Sequence, residues 1–314
     1  MALSASTNFT ANRDEIVTSS LRIVNAVAAG ETPSADEASD ANQALNMMLK
    51  SWEADGLHLA ARRRVSVLLE KNKSLYTLST SGDYATYSEN LNATTVKVNA
   101  AALATSIDVT TTTGMTAGDF VAFVMNDGNL HKTTIATVVD GDTITIVTGL
   151  SAASALGRRV WWFTNKCARP QRVLQAFTRS SADLDTLVTL VSQQEYWALS
   201  KKSNDGRVNQ VYYDPQILAG HLYVWPETDT VTNKLELIVQ KPFDDLDAST
   251  NNIELPTEWL NAIKFNLALM LSYEYGLSGS MHDRIERRAM MEKSMLLSYD
   301  QENTSIFFQP ERFG

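Results

Sequence analysis

The stretch DANQALNMMLKSWEADGLHL, residues 40–59, decides the fold class. Ala41, Ala44, Leu45, Met48, Leu49 and Trp52 recur at helical spacing, which gives one apolar face. Asp55-Gly56 then stops the helix, and the chain turns extended. None of these side chains does chemistry. The helix is built to pack, and the rest of the sequence must supply what it packs against.

Its nearest partner lies upstream. Asn12 with Glu15 three residues on has the form of a capping pair, and Ile16, Ser20, Leu21, Val24 and Val27 follow on one face, with Gly30 as the expected end. Ser34 with Glu37 is a second capping box, and the short GETPS connection at 30–34 makes the two helices neighbours. Two helices alone cannot close a core.

From Leu57 the period changes to two. RRVSVLLE (63–70), a KNK turn and SLYTLST (74–80) read as a hairpin. Residues 94–163 are rich in Thr, Val, Ala and Gly, with candidate strands in SIDVTTTT, GDFVAFVM, HKTTIATVV, DTITIVTGL and RRVWWF. Asp127-Gly128 and Asp140-Gly141 sit between strands as hairpin turns. Short β segments at this density predict a small barrel or sandwich inserted into a parent domain. RPQRVLQAFTR, DGRVNQVYYD, HLYVWPE and NKLELIVQKPF read as strands, with a short helix at SQQEYWALSK. Helical pattern returns at Pro256, where Trp259, Ile263, Leu267, Met270 and Leu271 mark a face, and again over 283–299. The fold class expected is α+β.

Bulk properties narrow the function. The chain has 314 residues, 44% hydrophobic and 20% charged, enough for a sizeable core. A net charge of −9 argues against electrostatic gripping of nucleic acid. The single cysteine, Cys167, excludes internal disulfides and Cys-rich zinc sites. The N-terminal stretch has no secretory pattern and no window has the length of a membrane span, so folding in a cytoplasm and no membrane partner are expected.

Signs of chemistry are sparse. His58, His131, His221 and His282 lie far apart, with no H-x-x-x-H pair, and neither phosphate-loop, dinucleotide nor nucleophile-elbow motifs occur. No cofactor, no metal and no catalytic residue are expected. Asp244, Asp245 and Asp247 in DDLDAS would serve a hydrolase only if the fold spaced two of them correctly; a solvated turn is the plainer reading. Arg62-Arg63-Arg64 is the densest positive patch, without the interleaved aromatics of a single-strand platform. Trp197, Tyr212, Tyr213, Tyr223, Trp225 and Trp259 would suit a sugar groove or, more simply, packing.

Six segments appear in a recognisable order: EASDANQALNMMLKSWEADGLHLAARRR, SLYTLSTSGDYA, QEYWALSKKSNDGRVNQVYYDPQ, GHLYVWPE, IVQKPFDDLDAS and ELPTEWLNAIKFNLALMLSYEYG. Together they resemble the head-to-tail adaptors of short-tailed bacteriophages, the packaged-DNA-stabilising or tail-tubular type. TTGMTAGDFVAFVMNDGNLHKTTIATVVDGDTITIVTGL resembles a β insertion found in some members. The resemblance runs from about Arg13 to Gly276 and rests on the ordered set, since no single segment is diagnostic.

The resemblance implies a helical bundle, made of the N-terminal helix pair plus the C-terminal helices, joined to a β region with an inserted small β-barrel or sandwich. It divides the chain into an adaptor domain at 1–93 and 164–299, an insertion at 94–163 and a tail at 300–314. It further implies a non-catalytic virion protein at the head–tail junction, assembled in the bacterial cytoplasm. Its partners would be itself in a ring, usually a dodecamer, the portal protein, tail nozzle or fibre proteins, and packaged double-stranded DNA passing through. Leu45, Met48, Leu49, Trp52, Trp259, Ile263 and Leu267 are the expected bundle-core and intersubunit packing residues. Ile306, Phe307, Phe308 and Phe313 are expected to dock on the portal. Two other readings stay open: a virion-associated cell-wall hydrolase using Asp244 or Asp245, and a receptor- or glycan-binding tail component acting through 94–163.

Overall fold

The computed structural model describes residues 10–54, 61–251 and 255–299, and the chain is mixed α+β. It separates into two compact units, one formed by residues 1–61 with 243–314 and the other by 62–242. The block at 94–163 lies within the second.

The first unit holds α1 (Arg13–Ile23) and α2 (Ala35–Ala54). After the β unit and its helix α3 (Gln193–Ala198), it adds α4 (Leu260–Glu274) and α5 (Ser280–Tyr299). Both expected caps form. Asn12 Oδ1 accepts from Glu15 N at 2.9 Å while Asn12 N donates to Glu15 Oε2 at 3.0 Å. Ser34 N likewise donates to Glu37 Oε2 at 2.8 Å. Each box satisfies amides that a helix start leaves open. One boundary differs from the sequence reading: α1 ends at Ile23, not near Gly30. Asn25 adopts φ 58° and Ala26 N donates back to Leu21 O at 3.0 Å, so an asparagine in the left-handed conformation closes the helix early.

One core joins the four long helices. It contains Leu21 and Val17 from α1, Leu45, Met48, Leu49 and Trp52 from α2, Ile263 and Leu267 from α4, and Ile285 and Leu296 from α5. Trp52 and Trp259 meet edge to face with centroids 6.5 Å apart, a favoured aromatic geometry. Ser20 Oγ donates to Lys264 O at 3.0 Å, and Asn266 Nδ2 donates to Ala289 O at 3.1 Å, so polar side chains pin α1 and α5 to α4.

The second unit contains two large curled sheets and a two-stranded pair, β12 (Asp205–Gly206) with β15 (Glu227–Thr228). The larger orders its strands β2-β14-β13-β11-β10-β16-β1-β3. These are β1 (Arg62–Leu68), β2 (Leu75–Leu78), β3 (Ala85–Tyr87), β10 (Arg172–Arg179), β11 (Asp185–Leu190), β13 (Gln210–Pro215), β14 (Gly220–Trp225) and β16 (Lys234–Gln240). The expected hairpin between β1 and β2 is corrected here. β1 pairs with β16 and β3, β2 pairs with β14, and the two lie at opposite positions in the strand order. Period-two alternation identifies a strand but not its partner, and a long antiparallel match to β16 outcompetes the local turn. Glu236, fully buried, shows how closely that match is fitted: Ser66 Oγ and Ser88 Oγ donate to its two oxygens at 2.8 and 2.6 Å. Beyond β2, Asp83 N donates to Thr77 O at 2.7 Å; a Cβ at Gly82 would lie 2.2 Å from that same oxygen, so the turn requires glycine.

The smaller sheet orders its strands β4-β9-β6-β7-β8-β5. They are β4 (Asn92–Thr95), β5 (Ser106–Asp108), β6 (Phe120–Val124), β7 (Leu130–Val138), β8 (Thr143–Ile146) and β9 (Arg159–Phe163). Its outer strands meet: Lys97 N donates to Asp108 O and Thr110 N to Thr95 O, both at 2.8 Å, across a Val96–Val109 bridge. The sheet is thus nearly closed around Val121, Phe123, Ile135, Ile144 and Val160, which removes exposed edges.

Leu267→Ala is expected to lower the unfolding free energy by about 2–5 kcal/mol, as for large-to-small changes in packed cores. Met295→Ala, at a position 55% exposed, should change it by no more than about 0.5 kcal/mol. Urea titrations followed by tryptophan fluorescence measure both.

Candidate interaction surfaces

The acids considered for hydrolysis form a strap over the helices. Lys50 holds Asp245 at 3.0 Å, Asn251 Nδ2 donates to Asp247 Oδ1 at 2.7 Å, and Arg13 donates to Asp247 O at 2.9 Å. The same segment is tied to α2 by Leu246 N donating to Asn46 Oδ1 at 3.0 Å. These contacts order a turn. Among the described residues, no group of three or more His, Cys, Asp and Glu is set to hold a metal ion, and no helix is long and apolar enough to cross a membrane. His282 takes its place beside Ser272, ring nitrogen to hydroxyl 3.0 Å, and His131 lies against the 148–151 backbone. His58 lies outside the described residues.

The aromatic residues spend their faces on one another. Tyr212 and Tyr223 stack 5.5 Å apart, Tyr196 lies beneath them, and Lys202 sits over Tyr196 and Trp197. Trp225 Nε1 donates to Lys201 O at 2.8 Å. The cluster anchors α3 to β13 and β14. Arg64 lies over Phe177 at 5.3 Å, and Arg62 and Arg63 belong to the same paired strand, so the arginine run is woven into the sheet.

Leu45, Met48, Leu49, Trp52, Trp259, Ile263 and Leu267 are all buried in the helical core, none above 3% exposure. They pack in the interior of the helical unit. Ile306, Phe307, Phe308 and Phe313 lie outside the described residues.

Apolar surface is instead offered by two other helix faces. In the first, α2 and α4 border a groove of about 340 Å³ lined by Asp40, Gln43, Ala44, Met47, Met270 and Glu274. Met47 is 55% exposed. Nearby, burial and then the charges of Glu37, Asp40 and Glu274 push the Tyr275 phenol above the ordinary value. Glu37, at the start of α2, is held low by the Ser34 amide. The second face is the outer side of α5. Ile285, Ala289 and Leu296 turn inward, which leaves Met290, Met291 and Met295 exposed alongside Arg284 and Arg287. Arg288 is engaged elsewhere, 2.6 Å from Glu292 and over Phe265. The methionine stripe was hidden in the sequence because mixed charge masks a helical face; only subtracting the inward spacing 285-289-296 exposes it.

On the β unit, Leu103, Leu156, Leu184, Ile217 and Leu218 are exposed at turns and loops, and Leu187 is exposed on strand β11. One cluster of its charged groups is used internally. Lys73 bridges Glu70 and Asp83, each within 2.8 Å, and Lys132 of β7 joins the same acids. Burial works against the Asp83 carboxylate, but hydrogen bonds from Lys73 and the Thr77 amide outweigh it and hold the group below the usual carboxylate range. Cys167 is fully buried, and that burial pushes its thiol up to about 12.

Compared with known proteins, the chain matches no family model and no curated protein.

Two measurements follow from these environments. Because the folded Asp83 pKa is depressed, its stabilisation is fully present above the unfolded value near 4 and fades as pH falls through the folded value. Asp83→Asn should therefore cost about 1–3 kcal/mol at neutral pH, and the gap to wild type should narrow in urea titrations below about pH 4. Cys167 should resist a thiol reagent in the native protein and react fully in denaturant, as the burst of released chromophore would record.

Proposed function

We propose that the chain is a structural head-to-tail adaptor of a short-tailed phage virion. In this reading the long helices form a bundle joined to a β region that carries an inserted small barrel. Copies assemble as a ring, a dodecamer in the resembled family, beneath the portal. The ring extends the DNA channel, helps retain the packaged genome and gives the tail nozzle or fibres a platform. The subunit performs no catalysis and sits at the head–tail junction of the virion.

The observation that carries this reading is a helical unit whose own core is complete while two methionine-bearing faces stay uncovered. Apolar faces of this kind mark interaction sites. Six segments in the order of the resembled family give the partner class. The net charge of −9 suits a channel through which DNA passes without gripping, since each phosphate neutralised by a cation adds salt-dependent hold. The tail at 300–314 supplies the portal contact through Ile306, Phe307, Phe308 and Phe313.

The test is electron microscopy of the purified chain mixed with its phage's portal. Rings stacked coaxially on the portal are expected, with stacking weakened on deletion of 300–314 while the subunit still folds. A monomer that ignores the portal would overturn the adaptor reading; normal stacking by the truncated chain would overturn only the tail assignment.

A further inference from the structure

The two uncovered helix faces differ in charge. The α2–α4 groove is lined by the acids Asp40 and Glu274 together with Met47 and Met270. The outer face of α5 presents Arg284 and Arg287, followed by Met291 and Met295 at intervals of three to four residues. That spacing places all four on one side of a helix. A basic, methionine-bearing helix face is thus carried by the same chain as an acidic groove lined by methionine.

We infer that α5 of one copy seats in the α2–α4 groove of the next copy, with Arg284 and Arg287 against Asp40 and Glu274 and Met291 and Met295 against Met47 and Met270. The occupant is a second copy because the complementary surface belongs to this chain. An acidic peptide would be repelled from the groove. A generic basic helix would leave the α5 stripe uncovered. The contact joins unlike patches, so it is heterologous and repeats from copy to copy instead of stopping at a two-fold dimer. Methionine suits both sides because its unbranched chain adapts to irregular apolar surface. The arginines fix orientation and speed encounter, since complementary charge steers association.

The inference rests on the ring reading, yet the two fail separately. The decisive experiment is cross-linking of full-length single-cysteine additions, Met47→Cys and Met291→Cys, with a short bis-maleimide. Buried Cys167 serves as the silent background. A covalent dimer is expected when the two variants are mixed and not when either is alone. The variant carrying both cysteines should give a ladder of higher multimers. Arg284→Glu with Arg287→Glu should reduce mixed cross-linking about tenfold or more, and pairing it with Asp40→Lys, Glu274→Lys should restore the yield. Circular dichroism melts establish that each variant is folded, and the restored pair excludes misfolding as the cause of loss.

No mixed cross-link, a yield indifferent to charge reversal, or Met291→Cys alone cross-linking as strongly as the mixture would each overturn the interface. Rings on the portal without these cross-links would leave the adaptor reading standing and remove this contact. Cross-links without portal binding would do the reverse.

Discussion

The helical unit depends on covering α4. Its sequence, LNAIKFNLALMLSYE, is apolar on nearly every side, and a helix of that kind is stable only when surrounded. α1, α2 and α5 all pack against it. Even its polar residues serve this end, Asn266 toward α5 and Ser272 toward His282 just beyond the turn. α1 and α2 precede the β unit in sequence while α4 and α5 follow it. The core therefore closes only when the two ends of the chain meet. Loop-closure entropy grows slowly with length, and here the intervening residues fold around cores of their own, so the separation costs less than the residue count suggests.

A matching constraint governs the β unit: open strand edges must be hidden. The smaller sheet hides them by curling until β4 and β5 meet through Val96 and Val109. The larger one bends so that the Gly82 turn ties β2 toward β3. A mixed cluster then joins the sheets. Leu68, Tyr84, Trp161 and Phe163 pack together, Tyr84 donates to Thr133 O at 2.6 Å, and Lys132 from the smaller sheet enters the Glu70–Asp83 pair of the larger. Burying such charges is tolerable because every one is matched by a partner of opposite sign.

Local chemistry was legible in the sequence, and long-range choice was not. The caps at Asn12–Glu15 and Ser34–Glu37, the turns at Asp127-Gly128 and Asp140-Gly141, and the apolar face of α2 all depend on neighbours a few residues away. The pairing of β1 with β16 depends on residues about 170 positions apart, as the Ser66–Glu236 bond shows, and alternation carries no information about it. Helix ends fell between these cases: Asn25 closes α1 where Gly30 was the stronger local signal. For the candidate surface, the sequence exposed the core residues and concealed the ones left at the surface. Leu45 and Trp259 follow from periodicity, whereas Met291 and Asp40 matter through what the fold leaves uncovered.

In the proposed adaptor, that distinction bears on how one chain serves both as a self-sufficient subunit and as an assembly component. If the conspicuous apolar positions had formed the contact, an isolated subunit would expose leucine and tryptophan and aggregate before finding its place. Here those side chains complete the internal core, and the uncovered faces use methionine flanked by charge. Methionine is apolar enough to gain from burial and flexible enough to tolerate imperfect fit, so its surface favours a modest contact over an indiscriminate one. Charges of opposite sign on the two faces then reject the wrong pairing: groove against groove places like charges together, as does stripe against stripe. A weak contact that repeats around a closed ring gains strength from closure, because each added copy is held on both sides. In the proposed ring, stability of the subunit and stability of the assembly thereby fall to different residues of the helical unit.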